Sequence, residues 1–274
     1  MKKKTVSIML AATMALSLFA GCGSSKDTAT EDTSKTESTE TTDESSENAS
    51  AETTDESSRT TFTVGFDAEY PPYGYMDDDG EYTGFDLELA QAVCDKEGWE
   101  LVKKPINWDS KDMELNSGSI DCIWNGFTMN GREDEYTFSV PYVDNSQVIV
   151  VAEDSGIEQL SDLAGKTVGV QAASAALDLL QSEDEGGQKA LADTFGSLNE
   201  FADYNTAFTE LQAGALDALA IDVGVAKYQL NSRGEGFKIL DETLNTEQYA
   251  IGFKKGNTEL CDIVNACLLY TSPS

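Results

Sequence analysis

The 274-residue sequence contains no histidine. Its absence removes His-based catalytic triads, histidine general bases and histidine metal sites together. Enzymes work without histidine, but the commonest hydrolytic arrangements do not. Basic residues are scarce as well: 18 Lys and Arg stand against 50 Asp and Glu, a formal net charge of −32. So acidic a surface repels phosphate backbones and anionic lipid headgroups, and nucleic-acid binding is excluded. Cysteine is sparse, at five residues, and no cysteine spacing suits a metal site. Nothing in the chain calls for a cofactor.

What is present begins with a targeting segment. Lys2, Lys3 and Lys4 precede the largely apolar run Thr5 to Ala20, which is too short for a comfortable membrane span. No later stretch is a membrane span. The run ends in Leu18-Phe19-Ala20-Gly21-Cys22. This resembles the bacterial lipoprotein cleavage box, in which the cysteine is lipidated; Phe19 departs from the usual Leu. Residues 1–22 are therefore expected to be a lipoprotein signal peptide and Cys22 the acylation site. Residues 23–61 are Ser, Thr, Glu, Asp and Ala with no large apolar side chain, a composition that cannot offset the entropy of ordering. They are expected to be a disordered tether.

The remainder contains an internal repeat. Leu115, Gly118, Asp121 and Ile123 recur at the same spacing as Leu211, Gly214, Asp217 and Leu219, and Gly126 and Asp222 fall at matching places beyond. The pattern reads as a helix end, a glycine turn and a strand in each of two α/β lobes. Beyond the first strand lies a cation, Arg132. The second ends on an anion, Asp222. Opposite charges at two strand mouths suit a small zwitterion.

Taken in order, Phe62–Phe66 reads as a buried strand and Asp67–Tyr75 as an aromatic turn-rich loop. Asp86 is expected to cap a helix that presents Leu89, Ala90, Val93 and Cys94 on one face. A strand over Glu100–Lys104, a helix over Trp108–Asn116 and a strand over Ile120–Asn125 follow. This alternation predicts a parallel sheet with right-handed crossovers. Gln147–Ala152 is read as a crossing into the second lobe. That lobe is expected to hold strands at Thr167–Val170, Ala215–Ile221 and Phe237–Leu240. Its helices are expected from Ala175, up to Gly214 with Asn205 as cap, and over Val223–Ser232; Ser182–Gly196 has no clear pattern. Gln248–Phe253 is read as the return crossing, and Thr258–Leu268 as an amphipathic helix on the first lobe.

The segments DAEYPPYGY, GFDLELA, GSIDCIWNGFTMNGRED, LSDLAGKTVGVQ, GALDALAID and QYAIGF, in this order, make residues 62 to about 268 resemble the family 3 extracellular solute-binding proteins. These are the polar amino-acid receptors of ABC importers. The resemblance implies a two-lobed periplasmic-binding-protein-like fold of type II, its lobes joined by two crossing strands. Residues 62–146 and 250–274 would form a discontinuous lobe 1 and residues 147–249 lobe 2. The ending Leu269-Tyr-Thr-Ser-Pro-Ser departs from the family, since Pro273 blocks helix; a truncated or artefactual C-terminus is expected.

The resemblance also distributes the handles of an amino acid. Arg132 matches the arginine that grips the α-carboxylate, aided by backbone N–H groups of Thr128 and of Ser174 at a strand-to-helix entry. The alternative for Arg132 is a surface pair with Glu133, Asp134 or Glu135. Asp222 matches the aspartate that holds the α-ammonium, with the Gly126 carbonyl opposite; alternatively it caps the following helix. Tyr70 and Trp108 stand where the family places flat walls around the aliphatic part. Asp67, Glu69 and Gln171 are directed at the ligand's side chain, and two acids with an amide favour a polar neutral or basic amino acid over an acidic one. Export permits disulfides, so Cys94 and Cys122 form either a bridge or two buried thiols.

The expected function is ligand capture without chemistry. A monomer would close on its amino acid and deliver it to an ABC permease, held at the membrane outside the cytoplasm by the lipidated Cys22. The alternative is a periplasmic enzyme resembling the cyclohexadienyl dehydratases of this fold, with Glu69 or Asp67 as the acid.

Overall fold

Residues 59–271 are described in the computed structural model of the protein. The expected signal peptide Met1–Cys22, with its expected acylation site, and residues 23–58 of the predicted tether lie outside them.

The sequence repeat is a repeat of structure. Gly118 and Gly214 hold φ of 76° and 75°, a left-handed conformation that glycine adopts without steric penalty. Their N–H groups donate to the carbonyls of Leu115 at 3.2 Å and Leu211 at 3.1 Å. Asp121 Oδ2 then accepts from the Thr63 N–H at 2.7 Å, as Asp217 Oδ2 does from the Thr167 N–H at 2.8 Å. Each aspartate ties the start of one strand to its neighbour. Arg59 pairs with Asp121 at 2.8 Å, so contacts to this half extend ahead of the predicted Phe62.

Around the first copy lie β1 (Thr61–Phe66), the small strands β2 (Glu69–Tyr70), β3 (Gly74–Met76) and β4 (Tyr82–Thr83), α1 (Phe85–Glu97) and β5 (Glu100–Pro105). A 3-10 turn at Trp108–Ser110 runs into α2 (Lys111–Asn116), followed by β6 (Cys122–Ile123) and β7 (Tyr136–Phe138). The second half holds β8 (Val143–Ala152), β9 (Thr167–Gln171), α3 (Ala175–Gln181), α4 (Lys189–Ala192), β10 (Ser197–Phe201) and α5 (Tyr204–Gln212). It continues with β11 (Ala218–Asp222), α6 (Val223–Arg233), β12 (Phe237–Ile239) and β13 (Asn245–Tyr249). The chain then makes β14 (Gly252–Lys254) and α7 (Thr258–Thr271).

Two main sheets result, in the orders β5-β1-β6-β14-β7 and β10-β9-β11-β8-β12, beside a small third of order β2-β3-β4. In each, three parallel strands are extended by an antiparallel one: β14 against β6, β8 against β11. β13 lies antiparallel to the start of β8, where the chain passes between the sheets. This is the two-lobed α/β arrangement expected from the sequence. Alternation along β8 and β11 covers both faces of the second sheet. Val148, Val150, Leu219 and Ile221 pack on one side, and Ile149, Val151, Ala218 and Ala220 on the other. In the first half, Phe62, Val64 and Phe66 of β1 pack with Leu87 of α1 and with Leu260 and Val264 of α7. Each such fully buried large side chain contributes roughly 1.5–3 kcal/mol.

Several local expectations are corrected. Asp86 does not cap α1; Gly84 occupies the cap position and the Asp86 side chain is turned inward. Asp203, rather than Asn205, caps α5, its carboxylate accepting from the Thr206 N–H at 2.7 Å. Only Cys122–Ile123 of the Ile120–Asn125 stretch pairs as strand, and Gln248–Phe253 is divided between β13 and β14. β10 was not anticipated, because SLNEF at a sheet edge is only partly buried and carries no apolar alternation. Cys94 and Cys122 are two buried thiols rather than a bridge, Cys261 is a buried thiol as well, and Cys267 Sγ donates to Glu97 Oε1 at 3.0 Å.

The duplication extends to two glycines. A Cβ on Gly65 of β1 would collide with Cδ1 of Ile120, and one on Gly169 of β9 with Cδ1 of Leu216. Ile120 and Leu216 are themselves matching repeat positions. Gly65→Ala and Gly169→Ala are each expected to lower unfolding free energy by roughly 1–3 kcal/mol in urea denaturation, the usual cost of overpacking. Ile120→Val should recover part of the first loss but none of the second.

Candidate functional site

The carboxyl ends of β1, β6, β9 and β11 lead into loops that meet between the two sheets, the position where α/β sheets hold ligands. A narrow cleft lies there, with only about 10 Å³ open to a water-sized sphere. Tyr70, Trp108, Gly126, Thr128 and Arg132 line it from the first half; Gln171, Ser174, Ala175 and Asp222 line it from the second. Asp67 adjoins it: Gln171 Nε2 donates to Asp67 Oδ2 at 2.7 Å and to the Ala202 carbonyl at 3.1 Å. The structure thus places eight of the sequence-predicted residues on the cavity, with Asp67 bonded to the rim and Glu69 in the neighbouring hollow.

Asp222 ends β11 and is 3% exposed. Its side chain makes no capping bond to α6. Instead Oδ1 accepts from Tyr249 OH at 2.6 Å, Gln147 Nε2 at 2.7 Å and Asn145 Nδ2 at 2.8 Å. Burial, and then the charge of Glu247, push its carboxyl up to about 6. Arg132 reaches the same cavity from the loop after β6. It pairs across the halves with Asp178 of α3, Nη2 to Oδ2 at 2.6 Å, rather than with Glu133, Asp134 or Glu135. Its guanidinium lies 5.1 Å from the Phe127 ring centroid, and Nη1 donates to the Thr128 carbonyl at 3.4 Å. The Asp178 side chain is 61% exposed, so this pair is weak and readily exchanged for a better anion.

Gly126 is held by shape and by a buried acid. Its φ is 56°, and a Cβ there would press on the rings of Tyr249 at 2.9 Å and Tyr70 at 3.0 Å. Its N–H donates to Asp86 Oδ2 at 2.5 Å, which also accepts from Tyr142 OH at 2.9 Å. Burial pushes the Asp86 carboxyl up to about 7, although both hydrogen bonds pull the other way.

Two more contacts join the halves at Ala173, a non-glycine residue at φ 54° in the turn after β9. Its carbonyl accepts from Trp108 Nε1 at 3.1 Å and from Lys111 Nζ at 3.3 Å. Strained backbone of this kind persists where the surroundings over-determine it. Lys111 is buried, and desolvation together with the charge of Arg132 pulls its ammonium down. Ser174 spends its hydroxyl locally, donating to the Gln171 carbonyl at 2.8 Å and accepting from the Leu177 N–H at 3.2 Å.

Comparison with known proteins bears on this geometry. Residues 62–271 match the family described as bacterial extracellular solute-binding proteins, family 3. The chain belongs to this family. It is 30% identical over 210 residues to the L-cystine-binding protein TcyJ of Escherichia coli strain K12, covering 76% of each chain. It is 33% identical over 209 residues to the arginine-binding extracellular protein ArtP of Bacillus subtilis strain 168, covering 75% of this chain and 78% of ArtP. Among solved structures, a substrate-binding protein of an ABC uptake transporter from Streptococcus pneumoniae with bound histidine is similar at a TM-score of 0.72. The two are 35% identical, over 77% of this chain and 87% of the other. These relatives are amino-acid-binding proteins, and family membership points to an extracytoplasmic location.

Sequence reasoning missed five residues around the cavity: Lys111, Asn145, Gln147, Asp178 and Glu247. A signal existed for three of them. Asn145 and Gln147 alternate along β8, and Asn245, Glu247 and Tyr249 along β13, so each set shares a face. Buried polar alternation at the start of an apolar strand marks a network rather than a core. Lys111 and Asp178 carry no comparable pattern, since their partners lie more than 40 residues away.

Asp86 supplies a test. A carboxyl raised in the folded state stabilises below its ordinary value, and that stability is lost as pH rises through about 7. The melting temperature of the wild type should therefore fall between pH 5 and 8 by this contribution. Asp86→Asn should flatten the decline, most clearly above pH 6 where the smaller contribution of Asp222 is already spent. An unchanged slope would remove Asp86 from the explanation.

Proposed function

We propose that this protein is the binding component of an ABC importer. It captures one free polar α-amino acid between its lobes, with lobe 1 formed by residues 62–146 and 250–274 and lobe 2 by 147–249. It hands the amino acid to a membrane permease as a monomer anchored through lipidated Cys22. The observation that carries this reading is the placement of a cation and an anion from separate halves on one cavity, with neither neutralising the other. A guanidinium offers two parallel donors to an α-carboxylate, supplemented by the N–H groups of Thr128 and Ser174. Asp222 and the Gly126 carbonyl accept from the α-ammonium. Tyr70 and Trp108 flank the carbon chain between them.

At the side-chain end, the open hollow beside the cavity is lined by Asp67, Glu69, Trp108, Glu114 and Asp203 and by no basic residue among those described. This supports a cationic side chain within the polar class. Closure is favoured because the ligand completes contacts to both halves only when they meet. Ligand-free contacts already span the gap: Asp67 to Gln171, Glu69 to Asn205, and Trp108 to Ala173.

Thermal-shift screening against the twenty amino acids, cystine and ornithine tests the reading directly. Arginine, lysine or ornithine should raise the melting temperature most, and glutamate least. Arg132→Ala and Asp222→Asn should each weaken binding by about 2–5 kcal/mol in calorimetry, the cost of stripping one partner from a desolvated charge contact. Catalytic turnover of prephenate or arogenate by the purified protein would replace this reading with the dehydratase one.

A further inference from the structure

Behind the ammonium position lies a second acid. Glu247 is 4% exposed and sits directly opposite Asn145 in the β13–β8 ladder, as Asp222 sits opposite Gln147 in the β11–β8 ladder. Asn145 Nδ2 donates to Asp222 Oδ1 at 2.8 Å and to Glu247 Oε1 at 2.7 Å. Gln147 Nε2 does the same at 2.7 and 2.8 Å. Two carboxylate oxygens therefore converge on the same two amide nitrogens. Glu247 Oε1 also accepts from Thr128 Oγ1 at 2.7 Å. Every donor to the pair is neutral, and neither acid is ion-paired among the described residues. The amide oxygens of the same two residues, Asn145 Oδ1 and Gln147 Oε1, are buried without a hydrogen-bond partner. Two like charges in low dielectric with no counter-ion are held together only at a cost, which a proton or a bound cation relieves.

We infer that Asp222, with Glu247 held against it by Asn145 and Gln147, is a proton-exchange site, which carries a proton when no ligand is bound and releases it to solvent as the ligand's ammonium takes its place. The inference rests on the amino-acid-binding reading above. It makes Glu247 a positioning residue that doubles the demand for positive charge at this end and excludes ligands lacking an amine. The balance is simple: one O–H bond of the pair is lost, the proton passes to solvent, and the ammonium takes its hydrogen-bonding place.

The groups facing the pair are Tyr70 from β2, Tyr204 from α5 and Tyr249 from β13, and burial pushes all three phenols well up, so they stay neutral. Asp144 and Gln248 border the hollow on one side of Glu247; Arg132, Asp178, Asp184 and Glu185 border the one on the other. The direction of the Asp222 shift, with burial first and Glu247 second, agrees with a retained proton.

The test has a ligand-free and a ligand-bound arm. In carbon-13 carboxyl NMR of the empty protein, one buried carboxyl should titrate near pH 6, and Glu247→Gln should move it to lower pH. In calorimetry, the Kd of L-arginine should rise by up to tenfold per unit as pH falls below about 6, as one-proton linkage requires. Up to one proton should be released per ligand at pH 5.5, read from two buffers of different ionisation enthalpy. Neither the carboxyl nor the amines of L-arginine titrate in this range. Glu247→Gln should shift this acid limb to lower pH; a merely structural role would weaken binding equally at all pH values. An Asp222 carboxyl titrating in the ordinary range, or a Kd flat from pH 5 to 7.5, would overturn the inference while leaving amino-acid binding intact. If L-arginine does not bind at any pH, the arginine-like ligand assignment fails, and the NMR titration alone decides the proton exchange.

Discussion

A buried carboxylate without a countercharge is the constraint around which this molecule is arranged. Asp222 is taken almost wholly out of water and surrounded by neutral donors, and the nearest acid, Glu247, makes its position worse. Such a group in a folded protein is held by a scaffold that draws its stability elsewhere. Here the scaffold is ample. Apolar side chains cover both faces of the sheet behind Asp222, and three tyrosines and two amides fix its surroundings. The opposite charge, Arg132, is kept on the other half with only an exposed aspartate as partner. The protein is thus left with two electrostatic contacts of opposite sign, which the proposed zwitterionic ligand would complete together.

The duplication explains how such an arrangement is built from a modest sequence signal. One glycine turn and one aspartate lock a helix to a strand in each half, and the strand mouths beyond deliver Gly126 and Asp222 to the same gap. Because the chain crosses between the sheets through paired strands β8 and β13, the crossing itself can carry polar residues toward the site. Asn145, Gln147 and Glu247 do so. The strands that join the halves and the proposed ammonium end are consequently one hydrogen-bonded structure.

Much of this was legible in the sequence, for a physical reason. Features written within about a dozen residues were readable: the repeat, the helix entry at Ser174, the strand mouths and the alternation of apolar residues. The family resemblance then placed Arg132, Tyr70 and Trp108 near one cavity. What failed to show was partner choice over long separations. Asp86 looked like a helix cap because its local context favours one, yet a backbone N–H 40 residues away claims it. Arg132 had three acids beside it and pairs with Asp178 instead. Glu247 shares the alternating face of β13, but its partners were not legible, because its bonds run to Thr128, Asn145 and Gln147, about 100 or more residues back. Local chemistry proposes partners, and packing decides among them.

The most direct measurement is a crystal structure of the protein grown with the amino acid that stabilises it best. The account predicts density for one ligand in the cavity, its carboxylate forked onto Arg132 with Asp178 displaced, and its ammonium on Asp222. A ligand bound elsewhere, or one that leaves the Arg132–Asp178 pair intact and Asp222 without a new contact, would contradict it.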